Sequence, residues 1–206
     1  MYLSQLRLNP ANGAARRDLA DPYQMHRTLS RVFADGADTQ PGRFLWRLER
    51  PGLMGEAGAL LVQSAAPGHW SVLGEIPGYA ATLHADKPVN NEKWVLAGRH
   101  YRFRLAANPT VTRDGKRLGL LKEEEQLAWL GRQAQRGGFD IVGAVCSGCD
   151  RINVPYGSGG TRLTVTRVLF DGELIAREPA ALHRALQSGI GHAKALGLGL
   201  LSLAPI

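Results

Sequence analysis

Short apolar runs separated by polar turns fill most of the chain, and a few longer stretches instead carry apolar residues every three or four positions. Alternation or a short apolar run marks a strand, and a 3.6-residue period marks an amphipathic helix. The run ending at Leu8 enters an Asn9-Pro10 turn, and strands follow at 44–49 (FLWRLE), 59–64 (ALLVQS) and 78–85 (GYAATLHA). A helical pattern covers 22–34, and GHWSVLGEI (68–76) holds a short helix between strands. The order is β-α-β-β-α-β, the ferredoxin-like pattern. The second half repeats it with RHYRFRLAA (99–107), a helix over 123–136, a strand over 139–146 (FDIVGAVC) and a strand region over 161–176. Asp171-Gly172 inside that last region carries a two-residue hairpin signal. Helix PAALHRALQS and an apolar tail strand complete the unit.

The halves also echo each other in detail. Leu6-Arg7-Leu8 runs into Asn9-Pro10, and Phe103-Arg104-Leu105 runs toward Asn108-Pro109, nearly half the chain away. A repeated segment at such spacing marks a duplicated unit. The polar, broken stretch KPVNNEKWVLAG (87–98) reads as the joint. The fold class expected is α+β: tandem ferredoxin-like (βαββαβ) domains with antiparallel sheets, the first over 1–88 and the second over 98–206.

Composition narrows the function classes. With 206 residues, 44% hydrophobic and 21% charged, the chain can bury a core and fits two domains of about 100 residues each. A disulfide-dense mini-protein and a disordered chain are excluded. No stretch approaches the roughly 18 apolar residues that a membrane span needs, and the N-terminus lacks the continuous apolar core of a signal peptide. A cytoplasmic protein without membrane association is expected. The net charge of +7 and pI near 9.8 favour a polyanionic partner such as nucleic acid.

Asp21-Pro22-Tyr23-Gln24 is a helix start, with Asp21 as cap and Pro22 at the first helical position. At about 100° per residue, Met25, Leu29, Val32 and Phe33 share the face to be buried. Tyr23, His26, Arg27, Ser30 and Arg31 form the adjacent stripe. Guanidiniums neutralise phosphate oxygens, and an imidazole moves protons near neutral pH. The first helical turns and neighbouring arginines disfavour the imidazolium, so a neutral His26 is expected. The plain alternative is a solvated helix edge.

The tail Gly189-Ile190-Gly191-His192-Ala193-Lys194-Ala195-Leu196-Gly197-Leu198-Gly199 lets backbone amides approach a phosphate chain, with His192 and Lys194 adding donors. It is neither a Walker A loop nor a dinucleotide fingerprint, and the alternative is a connector that packs the last helix on the last strand. Arg113, Lys116 and Arg117 lie in the polar turn TRDGKR. Arg162, Thr164 and Thr166 alternate against Leu163 and Val165, a strand face suited to RNA shape and phosphates.

Cys146 and Cys149 lack the second ligand pair that zinc needs and read as reduced thiols at a strand end. Glu123, Glu124 and Glu125 open a helix, where carboxylates suit the dipole, and mark no metal site. His69, His84, His100 and His183 read as structural or solvated, and the four tryptophans as core.

Gly-x-Gly-x5-Gly-x-Gly before a C-terminal apolar strand resembles the signature loop of CRISPR-associated RAMP endoribonucleases. The opening LRLNPANGAARRDLADPYQMHRTLSR resembles the CasE family, which matures CRISPR RNA in type I-E systems. The likeness runs through WRLE, KRLGLLK and LFDGELIA into the last strand. It implies tandem ferredoxin-like domains, metal-independent cleavage of CRISPR repeat RNA at the base of its hairpin, and retention of the product among the other Cascade subunits. No cofactor and no metal are implied. The family's catalytic tyrosine and histidine fall on Tyr23 and His26. A lysine that the family can carry falls on Arg31, which keeps the charge but is a poorer proton donor. The family's long basic hairpin has no counterpart before residue 161, where this chain reads RINVPYGSGGTR.

The cleavage that the resemblance implies proceeds by 2′-OH attack, which requires a base, an acid and cations. His26 is the proton-transfer candidate, Tyr23 its partner, and Arg27 and Arg31 the charge stabilisers. RNA contacts are expected at Gly189, Gly191, His192, Lys194, Gly197, Gly199, Lys116, Arg117, Arg113 and Arg162. The competing readings are a non-catalytic RNA-hairpin-binding subunit of the same fold and a small-molecule enzyme with a phosphate-binding tail. A pure binder has no need of the Tyr23–His26 pair.

Overall fold

Two four-stranded antiparallel sheets carry the chain, each with helices packed on one face. A computed structural model describes residues 1–36, 39–49, 58–155 and 162–206. The first unit comprises Met1–Val89 with Ala195–Gly197, and the second Asn90–Lys194 with Leu198–Ile206.

In the first unit, β1 (Tyr2–Leu8), β2 (Phe44–Leu48), β3 (Ala59–Ser64) and β4 (Ala80–Pro88) pair in the order β2-β3-β1-β4. Helices α1 (Gly13–Ala20) and α2 (Pro22–Val32) precede β2, and a 3-10 turn at Trp70–Glu75 precedes β4. The core is built by Leu6, Leu8, Met25, Leu29, Val32 and Phe33 with the inward residues of β2 and β3. Met25, Leu29, Val32 and Phe33 thus occupy the buried face that their spacing predicted. Edge strand β4 is mostly exposed and runs on to Pro88, past the residue 85 expected from its weak pattern. Proline is tolerated there because an edge strand need not donate outward.

In the second unit, β5 (His100–Ala107), β8 (Phe139–Pro155), β9 (Arg162–Ala176) and β10 (Leu201–Pro205) pair as β10-β5-β9-β8. Both sheets therefore place their first and third strands centrally, the ferredoxin-like arrangement. Strands β6 (Thr110–Arg113) and β7 (Lys116–Gly119) form an inserted hairpin ahead of α3 (Glu123–Arg136), and α4 (Pro179–Ser188) precedes the tail. The helix over 123–136 lies where the Glu run and the closing Arg136 set it.

Two expectations are corrected. Asp171-Gly172 makes no hairpin: β9 runs straight through it, with Asp171 opposite Arg104 and Gly172 opposite Phe103. Glycine is required there by close approach, since a Cβ at 172 would lie 2.1 Å from the Gly143 carbonyl oxygen. Strand β8 does not end at Cys146 but continues to Pro155 after a bulge between Cys146 and Gly148, so both thiols lie within the strand. Segment 87–98, read as the joint, contains the change of unit between Val89 and Asn90. Val95 is buried, and the Tyr101 phenol donates to the Trp94 carbonyl (2.5 Å) while accepting from the Leu96 N–H (2.9 Å).

No helix among the described residues is long and apolar enough to cross a membrane. No group of three or more His, Cys, Asp or Glu side chains there could hold a metal ion.

Candidate RNA-processing site

Helix α2 is fixed at both its start and its flank. The Asp21 side chain accepts from the Tyr23 N–H (2.9 Å), and Pro22 fills the first helical position, as the sequence predicted. The preceding helix α1 was not predicted. It is short and polar, but Asn12 caps it by accepting from the Ala14 and Ala15 N–H groups. That cap was readable in the sequence.

Helix α1 supplies Asp18, only 1% exposed. One Asp18 oxygen accepts from the Thr28 hydroxyl of α2 (2.6 Å) and the Tyr79 phenol (2.7 Å). The other accepts from Arg17 Nε (2.8 Å). Buried polar groups stay only when paired, so this carboxylate ties α1, α2 and the approach to β4 together. Burial, and then the Asp18 carboxylate beside it, push the Tyr79 phenol far above its ordinary range.

The stripe predicted on α2 forms, and its members differ in setting. His26 is half-buried, with its ring stacked on Phe44 at 5.0 Å and 26°. Its Nδ1 is buried with no hydrogen-bond partner among the described residues. Burial lowers its pKa from 6.5, because an imidazolium there gives up solvation. Tyr23 is 48% exposed, one turn before it. Arg27 is exposed, with a long 3.4 Å contact to Gln24. The Ser30 hydroxyl turns back to donate to the His26 carbonyl (2.8 Å) and so serves the helix. Arg31 Nη2 lies 2.5 Å from Glu75 Oε2. A cavity of about 450 Å3 opens beside this pair, lined by Ser30, Arg31, Thr39, His69, Val72 and Glu75 among others. Glu75 and His69 were not predicted in any functional role, since nothing local ties residues so distant in sequence to Arg31.

In the second unit, the glycine-rich tail is a chain reversal. Positive φ angles at Gly189, Gly191, Gly197 and Gly199 fold it tightly. A Cβ at Gly199 would meet the Ile190 carbonyl at 2.8 Å. The Gly189 N–H donates to the Ala185 carbonyl and the Gly199 N–H to the Ala106 carbonyl. Those two amides are thus taken up by the protein itself, which leaves the His192 and Lys194 side chains as the other donors expected of this tail. Gly197, grouped with the first unit, stands with a prospective Cβ 2.6–2.9 Å from the Trp46 ring. The Trp46 ring therefore leaves no room for a side chain at this position.

His192 joins the tail to the inserted hairpin electrostatically. Its pKa is lowered by burial first and then by the charges of Arg117 and Lys194. Arg113 sits directly opposite Lys116 across a turn with Asp114 and Gly115 at φ 49° and 72°. Like charges paired across strands repel, and exposed Arg113, Lys116 and Arg117 crowd positive charge at this tip. The Arg162 side chain and residues 156–161 lie outside the described residues. Thr166 is buried, pressed against Gly119, and Thr164 donates to Asn153 (2.7 Å), so the open alternating face expected around Arg162 does not extend that far.

The chain has similar proteins among known ones. A family model described as CRISPR associated protein matches residues 1–205. The chain belongs to this CRISPR-associated protein family. Within it, the chain is 40% identical over 217 residues to the CRISPR-associated endoribonuclease Cse3 of Thermus thermophilus, with both covered completely. It is 33% identical to the CRISPR system Cascade subunit CasE of Escherichia coli, again across both chains. A solved structure of the CRISPR endoribonuclease Cse3 bound to a 19-nucleotide RNA superposes with a TM-score of 0.90 at 40% identity, covering 100% of each chain.

Proposed function

We propose that the chain is the CRISPR RNA-processing endoribonuclease of a Cascade-type system, acting on repeat RNA at the base of its hairpin and keeping the product. The observation that carries this reading is His26: half-buried, with a lowered pKa, on a helix stripe that also holds Tyr23, Arg27 and Arg31. An imidazole neutral at pH 7 can accept a proton.

The ribose 2′-OH is the nucleophile, so proximity within the RNA supplies much of the rate. His26 takes the 2′-OH proton as the 2′-oxygen bonds to phosphorus. Arg31 and Arg27 neutralise the charge that builds on the phosphorane oxygens. The P–O5′ bond breaks as the exposed Tyr23 phenol gives its proton to the departing 5′-oxygen, and the His26 imidazolium then returns its proton through water to the Tyr23 phenolate, so both groups regain their starting states. The products are a 2′,3′-cyclic phosphate and a 5′-OH, with no metal needed. Arg113, Lys116, Arg117 and Lys194 supply the positive surface that retains the hairpin, and the neutral His192 beside Arg117 and Lys194 adds a hydrogen-bonding ring. The reaction belongs in the cytoplasm, where the RNA is made.

His26→Ala tests the assignment. Single-turnover cleavage of repeat RNA falls by about 10²–10⁴, the usual worth of a general acid–base residue, while hairpin affinity holds. Cleavage at the wild-type rate removes His26 from the site.

A further inference from the structure

Arg31 is a flexible side chain that must meet a phosphate in one geometry, and the structure holds it. Its Nη2 group lies 2.5 Å from Glu75 Oε2, with both side chains about half exposed or more. Glu75 ends the 3-10 turn Trp70–Glu75, which is itself anchored. The His69 N–H donates to the Val32 carbonyl at the end of α2 (2.8 Å). The Trp70 indole donates to Asp86 (3.0 Å), and its ring meets Phe33 edge-on at 5.6 Å. A second carboxylate among the described residues of this cavity wall, Asp35, lies 3.7 Å from His69.

We propose that Glu75 is a positioning residue for Arg31, holding one corner of the guanidinium so that the remaining donors face the scissile phosphate. This rests on the assignment of Arg31 to the site given above. A guanidinium has five donors in a rigid fork, so one edge can be fixed while the other binds an anion. Losing the anchor frees the stem, and the cost falls on transition-state geometry. Losing the carboxylate also removes a negative charge beside the RNA, which cannot weaken phosphate binding. The predicted signature is therefore slower cleavage with unchanged or tighter affinity.

Single-turnover cleavage of repeat RNA and hairpin binding are measured for Glu75→Ala, Glu75→Gln, Arg31→Ala and the double variant Arg31→Ala/Glu75→Ala. Glu75→Ala slows cleavage about two- to fivefold, the scale an exposed ion pair can organise. Glu75→Gln, which keeps an acceptor oxygen in place, recovers part of that loss. In the Arg31→Ala background, Glu75→Ala changes nothing further. A Glu75→Ala rate equal to or above wild type overturns the proposal, as does an undiminished effect of Glu75→Ala without Arg31. Slow Arg31→Ala beside unaffected Glu75→Ala rejects this inference alone. An Arg31→Ala variant at full rate rejects the assignment of Arg31 itself, and the proposal with it.

Discussion

Asp18→Ala probes what holds the candidate catalytic helix. The carboxylate is buried and accepts from Thr28, Tyr79 and Arg17. Its removal leaves the Thr28 and Tyr79 hydroxyls without their charged acceptor. Each buried group so stranded costs about 1–3 kcal/mol. The two hydroxyls share one Asp18 oxygen and can pair with each other once the carboxylate is gone, which offsets part of the loss and sets the sum near ~3 kcal/mol. Arg17 adds little because its side chain is 53% exposed. For a chain of this size, about 3 kcal/mol lowers Tm by roughly 6–12 °C. Urea unfolding followed by circular dichroism reads the loss as a shifted midpoint at constant slope. Asp18→Asn keeps one acceptor oxygen and costs about half as much. A loss below about 1 kcal/mol for Asp18→Ala would refute the view that this carboxylate ties α1 to α2.

Four further outcomes follow from the charges and the tail. The folded pKa of His26 is lowered, so the folded state binds fewer protons than the unfolded one: its contribution is full above pH 6.5 and is lost as pH falls from 6.5 through the folded value. His192 acts with the same sign, so His26→Ala weakens this acid-side loss without abolishing it, and identical stability–pH curves would contradict the burial argument. The cleavage rate of wild type falls on the acid side with a midpoint below 6.5, and a midpoint above 6.5 would remove His26 as the base. Lys194→Ala lowers the salt slope of log K by about one unit or less, and an unchanged slope removes Lys194 from the RNA surface. Gly197→Val lowers Tm in the same experiments, because φ is 77° and the Trp46 ring fills the space a side chain needs. The strained backbone alone costs about 1–3 kcal/mol, and an unchanged melt would contradict the packing.

What could be read from sequence follows the range of the interactions. Helices over 123–136 and at Asp21-Pro22 were legible because their caps, charges and periodicity are local. The stripe of Tyr23, His26, Arg27 and Arg31 follows from helical geometry alone. Of three Asp-Gly pairs, Asp114-Gly115 closes a hairpin and Asp35-Gly36 lies in a bend, yet Asp171-Gly172 runs straight through a strand. Gly172 is glycine because a bulged neighbour comes close, and a bulge is a property of pairing that one strand does not display. The Arg31–Glu75 pair joins residues 44 apart, so it has no local sign. The Asp18 network is equally silent, since a lone Asp on a short polar helix reads as solvated until its partners are seen.

The central claim is that cleavage uses the RNA's own 2′-OH and this chain's side chains. The most direct test incubates the protein with its repeat RNA in excess chelator, beside an RNA with a single 2′-deoxy substitution at the nucleotide upstream of the cut, and maps the product ends. The account predicts undiminished cleavage in chelator at the hairpin base, a 2′,3′-cyclic phosphate with a 5′-OH, and none for the deoxy RNA. Activity lost in chelator and restored by magnesium, or a cut in the deoxy RNA, would contradict it.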